Sequence, residues 1–223
     1  LHVADLYPSA EILGNDISPI QPSVVPPNVK FEVDDAEAEW VYSSKFDFIH
    51  CRYMIGSIRD WPRLIQQAFQ FTKPGGWVEF TDYDAVFYTS TNGNWKEGEP
   101  IDVWSKKLAE GMNAFGMEAN PGPRLEGWIK TAGFESVESR VLPFPVGTWP
   151  KDRKMKEIGA FNLLHFLEGL EPISLRCFMS GLGWSHEEVQ VFLAQCKNEF
   201  KKKDKRIQHN LYVVWARKPM NAQ

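Results

Sequence analysis

FDFIHCR at residues 46–52, WPRLIQQAFQF at 61–71 and KPGGWVEFTDY at 73–83 decide the fold. The first run is short, apolar and aromatic, which predicts a buried strand over 46–51. Asp60 stands before the second run and suits a helix N-cap. Pro62 falls in the first turn, and Leu64, Ile65, Ala68 and Phe69 share one face of a helix over 61–71. Lys73-Pro74-Gly75-Gly76 reads as a turn, and 77–83 as the next strand. A strand, a crossover helix and a second strand on short links predict an α/β fold with a parallel sheet.

Upstream, 1–6 reads as the end of a helix stopped by Pro8, and 11–15 as a buried strand ending in Asp16. Four prolines in 19–28 rule out a regular element there. Residues 29–33 alternate as a strand does. Downstream come a polar loop from Ser90 to Pro100, a helix near 102–115, and a helix over 122–132 ended by Gly133. A strand over 135–144 and an apolar helix over 151–170 follow. Ser185 and Glu188 form a capping box for a helix reaching about 203, with Val189, Phe192, Cys196 and Phe200 inward. A strand over 209–217 is expected to close the sheet. The reading is one domain over 1–223, with cap or substrate regions at 85–120 and 145–185.

Composition narrows the function. The 223 residues carry a net charge of -4, which gives no general attraction to nucleic acid or anionic membrane. No apolar run approaches the roughly 18 residues of a membrane span. Cys51, Cys177 and Cys196 are too scattered for a disulfide framework or a metal site and read as reduced core thiols. Nine Trp and fifteen Phe supply a large core, an aromatic-lined pocket, or both. The lysines at 201–203, with Lys205 and Arg206, read as a solvated helix end.

Two acidic positions carry chemistry. Asp16 closes a buried strand, where a carboxylate can accept both hydrogen bonds of a ribose diol; a loop cap is the simpler alternative. Asp35 follows the next strand, placed to accept from an adenine amino group, and Ala36 leaves room for the ring.

Together with the strand–helix–strand run, these residues resemble the class I S-adenosylmethionine-dependent methyltransferases. More narrowly, they resemble the fungal family typified by the secondary-metabolism regulator LaeA. The resemblance is carried by YPSAE (7–11), DISPIQP (16–22), PPNVKF (26–31), DDAE (34–37), KFDFIH (45–50), RDW (59–61) and KPGGWVE (73–79). AGF (132–134), GTWPKD (147–152), LGWS (182–185) and RKP (217–219) extend it over nearly the whole chain. It implies a Rossmann-like sheet with helices on both faces, helical cap insertions and S-adenosylmethionine as cofactor. In that scheme Asp16 binds the ribose and Ile17 lies against the adenine. Asp35 and Ala36 meet the adenine edge, and His50, Cys51 and Arg52 line the floor near the methionine. Tyr53, Tyr83 and His165 face the acceptor. The catalytic residue is left unknown, with His50 and His165 the candidates for a base. No metal is implied.

The family's first strand and glycine-rich turn have no counterpart after Leu1; they are expected first in a preceding segment, with supply by another chain or a rearranged sheet as the alternatives. In the family that strand lies between the Asp16 strand and FDFIHC. Without it two inner strands present unmade backbone hydrogen bonds, at roughly 1–3 kcal/mol for each buried group. The expected function is methyl transfer to a small, secondary-metabolite-like acceptor in the cytoplasm or nucleus. The alternatives are a weakly catalytic or non-catalytic regulator with a protein partner in a nuclear complex, and a scaffold repurposed for cofactor-independent chemistry. Neither nucleic acid nor membrane is expected as a partner.

Overall fold

The computed structural model describes residues 2–89 and 98–222, and these form six strands and six α-helices. Most of the polar loop expected from Ser90 to Pro100 lies outside the described residues. The chain divides into two compact units, Leu1–Ser44 and Lys45–Gln223.

In the smaller unit, α1 (His2–Leu6) leads to β1 (Ile12–Asp16), which pairs in parallel with β2 (Val29–Val33). Asn28 ties this turn-rich segment together. Its side-chain amide donates to the carbonyls of Ala4, Tyr7 and Ala10 at 3.3, 3.2 and 2.9 Å. The prolines between the strands forbid a ladder there, so side-chain bonds take over. Gly14 is forced by close approach: a Cβ there would meet the Phe31 ring at 2.6 Å.

The larger unit holds a four-stranded sheet in the order β3-β4-β6-β5. Its strands are β3 (Phe46–Arg52), β4 (Thr72–Thr89), β5 (Glu135–Pro145) and β6 (Ile207–Arg217). β3 and β4 are parallel, whereas β6 runs antiparallel to both β4 and β5. The sequence reading expected a parallel sheet closed by its last strand. Instead that strand is internal, and its backbone groups are bonded on both sides. Among the described residues β1 pairs with β2 alone and β3 with β4 alone, in two separate sheets.

β4 is also longer than the 77–83 expected for it. Its start takes in the Pro-Gly-Gly turn because Gly75 N–H donates to the Lys218 carbonyl (2.9 Å) and Lys218 N–H donates to that of Gly76 (2.8 Å). Gly75 sits at φ +79°, which a residue with a Cβ adopts poorly. Beyond Tyr83 the register shifts and β4 pairs again from Phe87 to Thr89. The region read as an insertion from residue 85 therefore begins inside the sheet.

The helices follow their local signals. Asp60 caps α2 (Trp61–Phe71) by accepting from Arg63 N–H at 3.0 Å. α4 (Leu125–Ala132) ends at Gly133 with φ +102°. Ser185 and Glu188 make both bonds of the capping box of α6 (His186–Phe200). The apolar helix expected over 151–170 runs further, as α5 (Arg153–Leu175), and widens into a π-turn over Arg176–Gly181. α3 (Pro100–Ala114), α5 and α6 converge on the extension of β4. The Phe87 ring there lies 5.7, 5.0 and 5.5 Å from those of Trp104, Phe166 and Phe200. Burying side chains of this size contributes about 1.5–3 kcal/mol each, and these rings join the helices to the strand in one apolar cluster.

α3 crosses the π-turn at backbone distance. A Cβ on Gly111 would stand 2.6 Å from Cys177 Cβ and 2.8 Å from its carbonyl oxygen. Gly127 in α4 faces open space. Gly111→Ala is expected to destabilise the protein by about 1–3 kcal/mol through overpacking. Gly127→Ala is expected to stabilise it by up to about 1 kcal/mol through helix propensity. Thermal unfolding of the two variants, with melting temperatures moving in opposite directions, checks both.

Candidate functional site

The smaller unit brings Asp16 and Asp35 to one end of its sheet. Asp16 is in register with Val33, and Asp34 N–H donates to the Asp16 carbonyl at 3.0 Å, so Asp35 follows directly past the paired ends. Ser18 N–H donates to Asp16 Oδ1 at 2.8 Å; Oδ2 has no hydrogen-bond partner among the described residues. Glu37 N–H donates to Asp35 Oδ1 at 2.9 Å, which folds DDAE into a tight turn. Asp35 is exposed and Ala36 half-buried, while Ile17 is 70% exposed, high for an apolar side chain. The carboxyl ends of neighbouring parallel strands are where ligands of open α/β sheets bind. A carboxylate with a free oxygen on one strand, with an acid and a small residue after the next, has the acceptor chemistry for the hydroxyl and amino donors of a nucleoside.

The larger unit places the remaining candidates along β3, β4 and α5. His50 is the register partner of Glu79, with Nε2 3.4 Å from Oε1. Burial holds its basicity below the ordinary imidazole range, Glu79 opposes that, and Arg52 adds to it. Burial pushes the Cys51 thiol up to about 12, so it is no nucleophile at neutral pH. Arg52 lies over the Tyr53 ring at 5.2 Å. Tyr53 leaves β3 at φ +58° and donates its N–H to the Thr81 carbonyl at 3.0 Å. Its ring meets that of Tyr83 edge-on at 5.9 Å. His165 lies exposed on α5, its ring 5.4 Å from that of Phe166.

Three groups escaped the sequence reading. Asp82 is buried, and its Oδ2 accepts from Met54 N–H (2.7 Å) and Ile55 N–H (3.0 Å). Those bonds fix the turn after Tyr53. Asp84 Oδ2 accepts from the hydroxyls of Tyr88 and Tyr212, each at 3.2 Å. Both acids lie in WVEFTDYD, where alternation at a strand's apolar core signals acids at inward positions. His209, at an inward position of β6, stands among aromatic rings and is taken up below. No group of three or more His, Cys, Asp or Glu able to hold a metal ion occurs among the described residues. No described helix is long and apolar enough to cross a membrane.

The fold is the Rossmann-like fold of class I methyltransferases, with a mixed sheet and helices. The chain belongs to the methyltransferase domain family, whose model matches residues 2–139. It is 41% identical to the methyltransferase pytC of Aspergillus terreus over 98% of this chain and 68% of that protein. It is also similar to the protein-methionine methyltransferase laeA of Emericella nidulans, at 27% identity over 99% of this chain and 59% of that protein. Among solved structures, the YcgJ protein of Bacillus subtilis superposes with a TM-score of 0.51 at 15% identity, covering 98% of this chain and 87% of that one. That likeness supports the class I methyltransferase fold, with the mixed sheet described above.

Asp82 supplies a pH prediction. Burial raises its carboxyl from 3.8 to about 6, against three backbone N–H bonds from Tyr83, Met54 and Ile55 that pull it down. The folded state therefore holds this proton more tightly than the unfolded state. The stability linked to it is fully present below about pH 4 and lost as pH rises through about 6. Burial lowers His209 to about 4, so it acts in the opposite sense over the same range, and the decline is read as a difference: in urea unfolding the parent is expected to lose stability relative to Asp82→Asn between about pH 4 and about pH 7.

Proposed function

We propose that this chain transfers the methyl group of S-adenosylmethionine to a small-molecule acceptor of secondary-metabolite type. The observation that carries the reading is the pairing of Asp16 and Asp35 at neighbouring strand ends. Asp16 keeps a free carboxylate oxygen and so can take a ribose diol. Asp35 accepts from the adenine amino group, Ala36 leaves space for the ring, and Ile17 covers its face. When bound, the cofactor supplies an activated methyl group on a positively charged sulfur. The protein's share of such a displacement is chiefly alignment, worth up to about 7–11 kcal/mol of the barrier. Asp82 contributes to that by holding the Tyr53 turn, and Tyr53 and Tyr83 offer flat apolar surface to an acceptor. An acceptor that must lose a proton needs a base. We take His50, whose Nε2 lies 3.4 Å from Glu79 Oε1, ahead of His165 as that base.

The likeness to laeA, named as a protein-methionine methyltransferase, favours a second reading in which the acceptor is a protein and the chain works in a regulatory complex. The exposed Val191 on α6, beside the partly buried Trp184 and Phe192, would suit such a partner. A stable partner recovered from cells, together with no turnover of small acceptors, would support it over the first.

Calorimetry of the intact protein with S-adenosylhomocysteine tests the first reading. Binding is expected, and Asp16→Ala is expected to weaken it about 10- to 100-fold, as loss of hydrogen bonds to a charged acceptor does. Equal affinity in the variant would remove Asp16 from the site, and no binding by the parent protein would remove the cofactor.

A further inference from the structure

His209 lies near the start of β6, opposite Phe87 of β4 on one side and Phe144 of β5 on the other. Its side chain is buried, 6% exposed. Neither Nδ1 nor Nε2 has a hydrogen-bond partner among the described residues. Four rings surround it, those of Tyr83, Phe166, Phe87 and Phe144 at 5.4, 5.6, 5.7 and 6.0 Å between centroids. A neutral imidazole has one N–H donor and one lone-pair acceptor, and leaving either unmade in a buried site costs roughly 1–3 kcal/mol. Phe or Leu would fill the same box without that penalty. A molecule that enters and bonds to the ring would remove that cost.

The surroundings say what could enter. Tyr53 is half-exposed, its ring meets that of Tyr83, and Tyr83 meets His209, so aromatic rings lead from the surface to the imidazole. The last β3–β4 register pair is Arg52 with Thr81, and Tyr53, Tyr83 and His209 all lie past it, beyond the carboxyl end of β3. Burial, aided by His165, lowers the ring's basicity to about 4. It is therefore neutral at physiological pH, with its lone pair free to accept.

We propose that His209 is the polar anchor of an acceptor subsite that takes a flat aromatic molecule bearing a hydroxyl group. The aromatic part lies among Tyr83, Phe144 and Phe166, and the hydroxyl bonds to the imidazole. Describing this molecule as the methyl acceptor rests on the methyltransferase reading above; the binding site does not.

The test uses the full chain with 15N-labelled histidine and two probes, 2-naphthol and naphthalene, which differ by one hydroxyl. The parent protein is expected to bind 2-naphthol about tenfold or more tighter than naphthalene, the worth of one good hydrogen bond. The His209 ring nitrogen signals are expected to move with 2-naphthol and to stay in place with naphthalene. His209→Phe is expected to keep or raise the melting temperature and to equalise the two affinities. His209→Gln, which retains a donor and an acceptor, keeps part of the preference and carries the comparison if the Phe variant does not fold. Equal affinities in the parent, binding of neither probe, or ring nitrogens already hydrogen-bonded to a fixed water before any probe is added would overturn the proposal. Binding of S-adenosylhomocysteine is measured on the same samples. Its loss with the naphthol preference intact would sink the methyltransferase reading alone, and the reverse would sink the subsite alone.

Discussion

An internal strand must have its backbone groups bonded on both sides, and β6 meets that demand by running antiparallel between β4 and β5. The last strand of the chain is thus the one that binds the larger unit together. It is bonded to β4 from Trp77 to Tyr83 and again from Phe87 to Thr89. The cap helices pack on that second stretch, around Phe87. Without β6 the extension of β4 would have no partner, and α3, α5 and α6 would have no fixed floor.

The same insertion sets the chemistry of the cap. β6 carries His209 into register with Phe87 and Phe144, so an imidazole from near the end of the sequence meets rings from the middle of it. It also brings Tyr212 to Asp84, which has Tyr88 as its other hydroxyl partner. On the other side of β4, the pairing with β3 holds His50 against Glu79, and Asp82 fixes the turn that presents Tyr53. β4 is therefore the common wall of every candidate group in the larger unit except His165, on α5.

Much of this was legible in the sequence wherever the cause is local. Asp60, Gly133 and the Ser185–Glu188 pair mark helix ends because capping involves residues three or four apart. The runs 29–33 and 46–52 alternate or cluster as strands do. The acids at 16 and 35 were found because strand ends and small neighbours are visible locally. Strand order was not legible. Nothing within Ile207–Arg217 states which strands it will join or in which direction, since that depends on residues more than 100 positions away. The start of β4 was hidden for a related reason, because Lys73-Pro74-Gly75-Gly76 has turn chemistry that only the distant Lys218 overrides. His209 gave a faint signal as a polar residue in step with the inward Leu211, but its neighbours come from three other elements.

The unbroken run of β4 from Thr72 to Thr89 also bears on how such proteins diversify. A cap carried on a separate hinge could be exchanged between relatives as a cassette. Here the floor of the cap and the wall beside β3 are one strand, backed by one partner. A chimera that imports another protein's cap has to bring the far halves of both β4 and β6 with it, and the splice points then fall inside the ladder rather than in loops. New acceptor specificities in this scaffold are more readily reached by replacing single inward side chains than by trading whole segments.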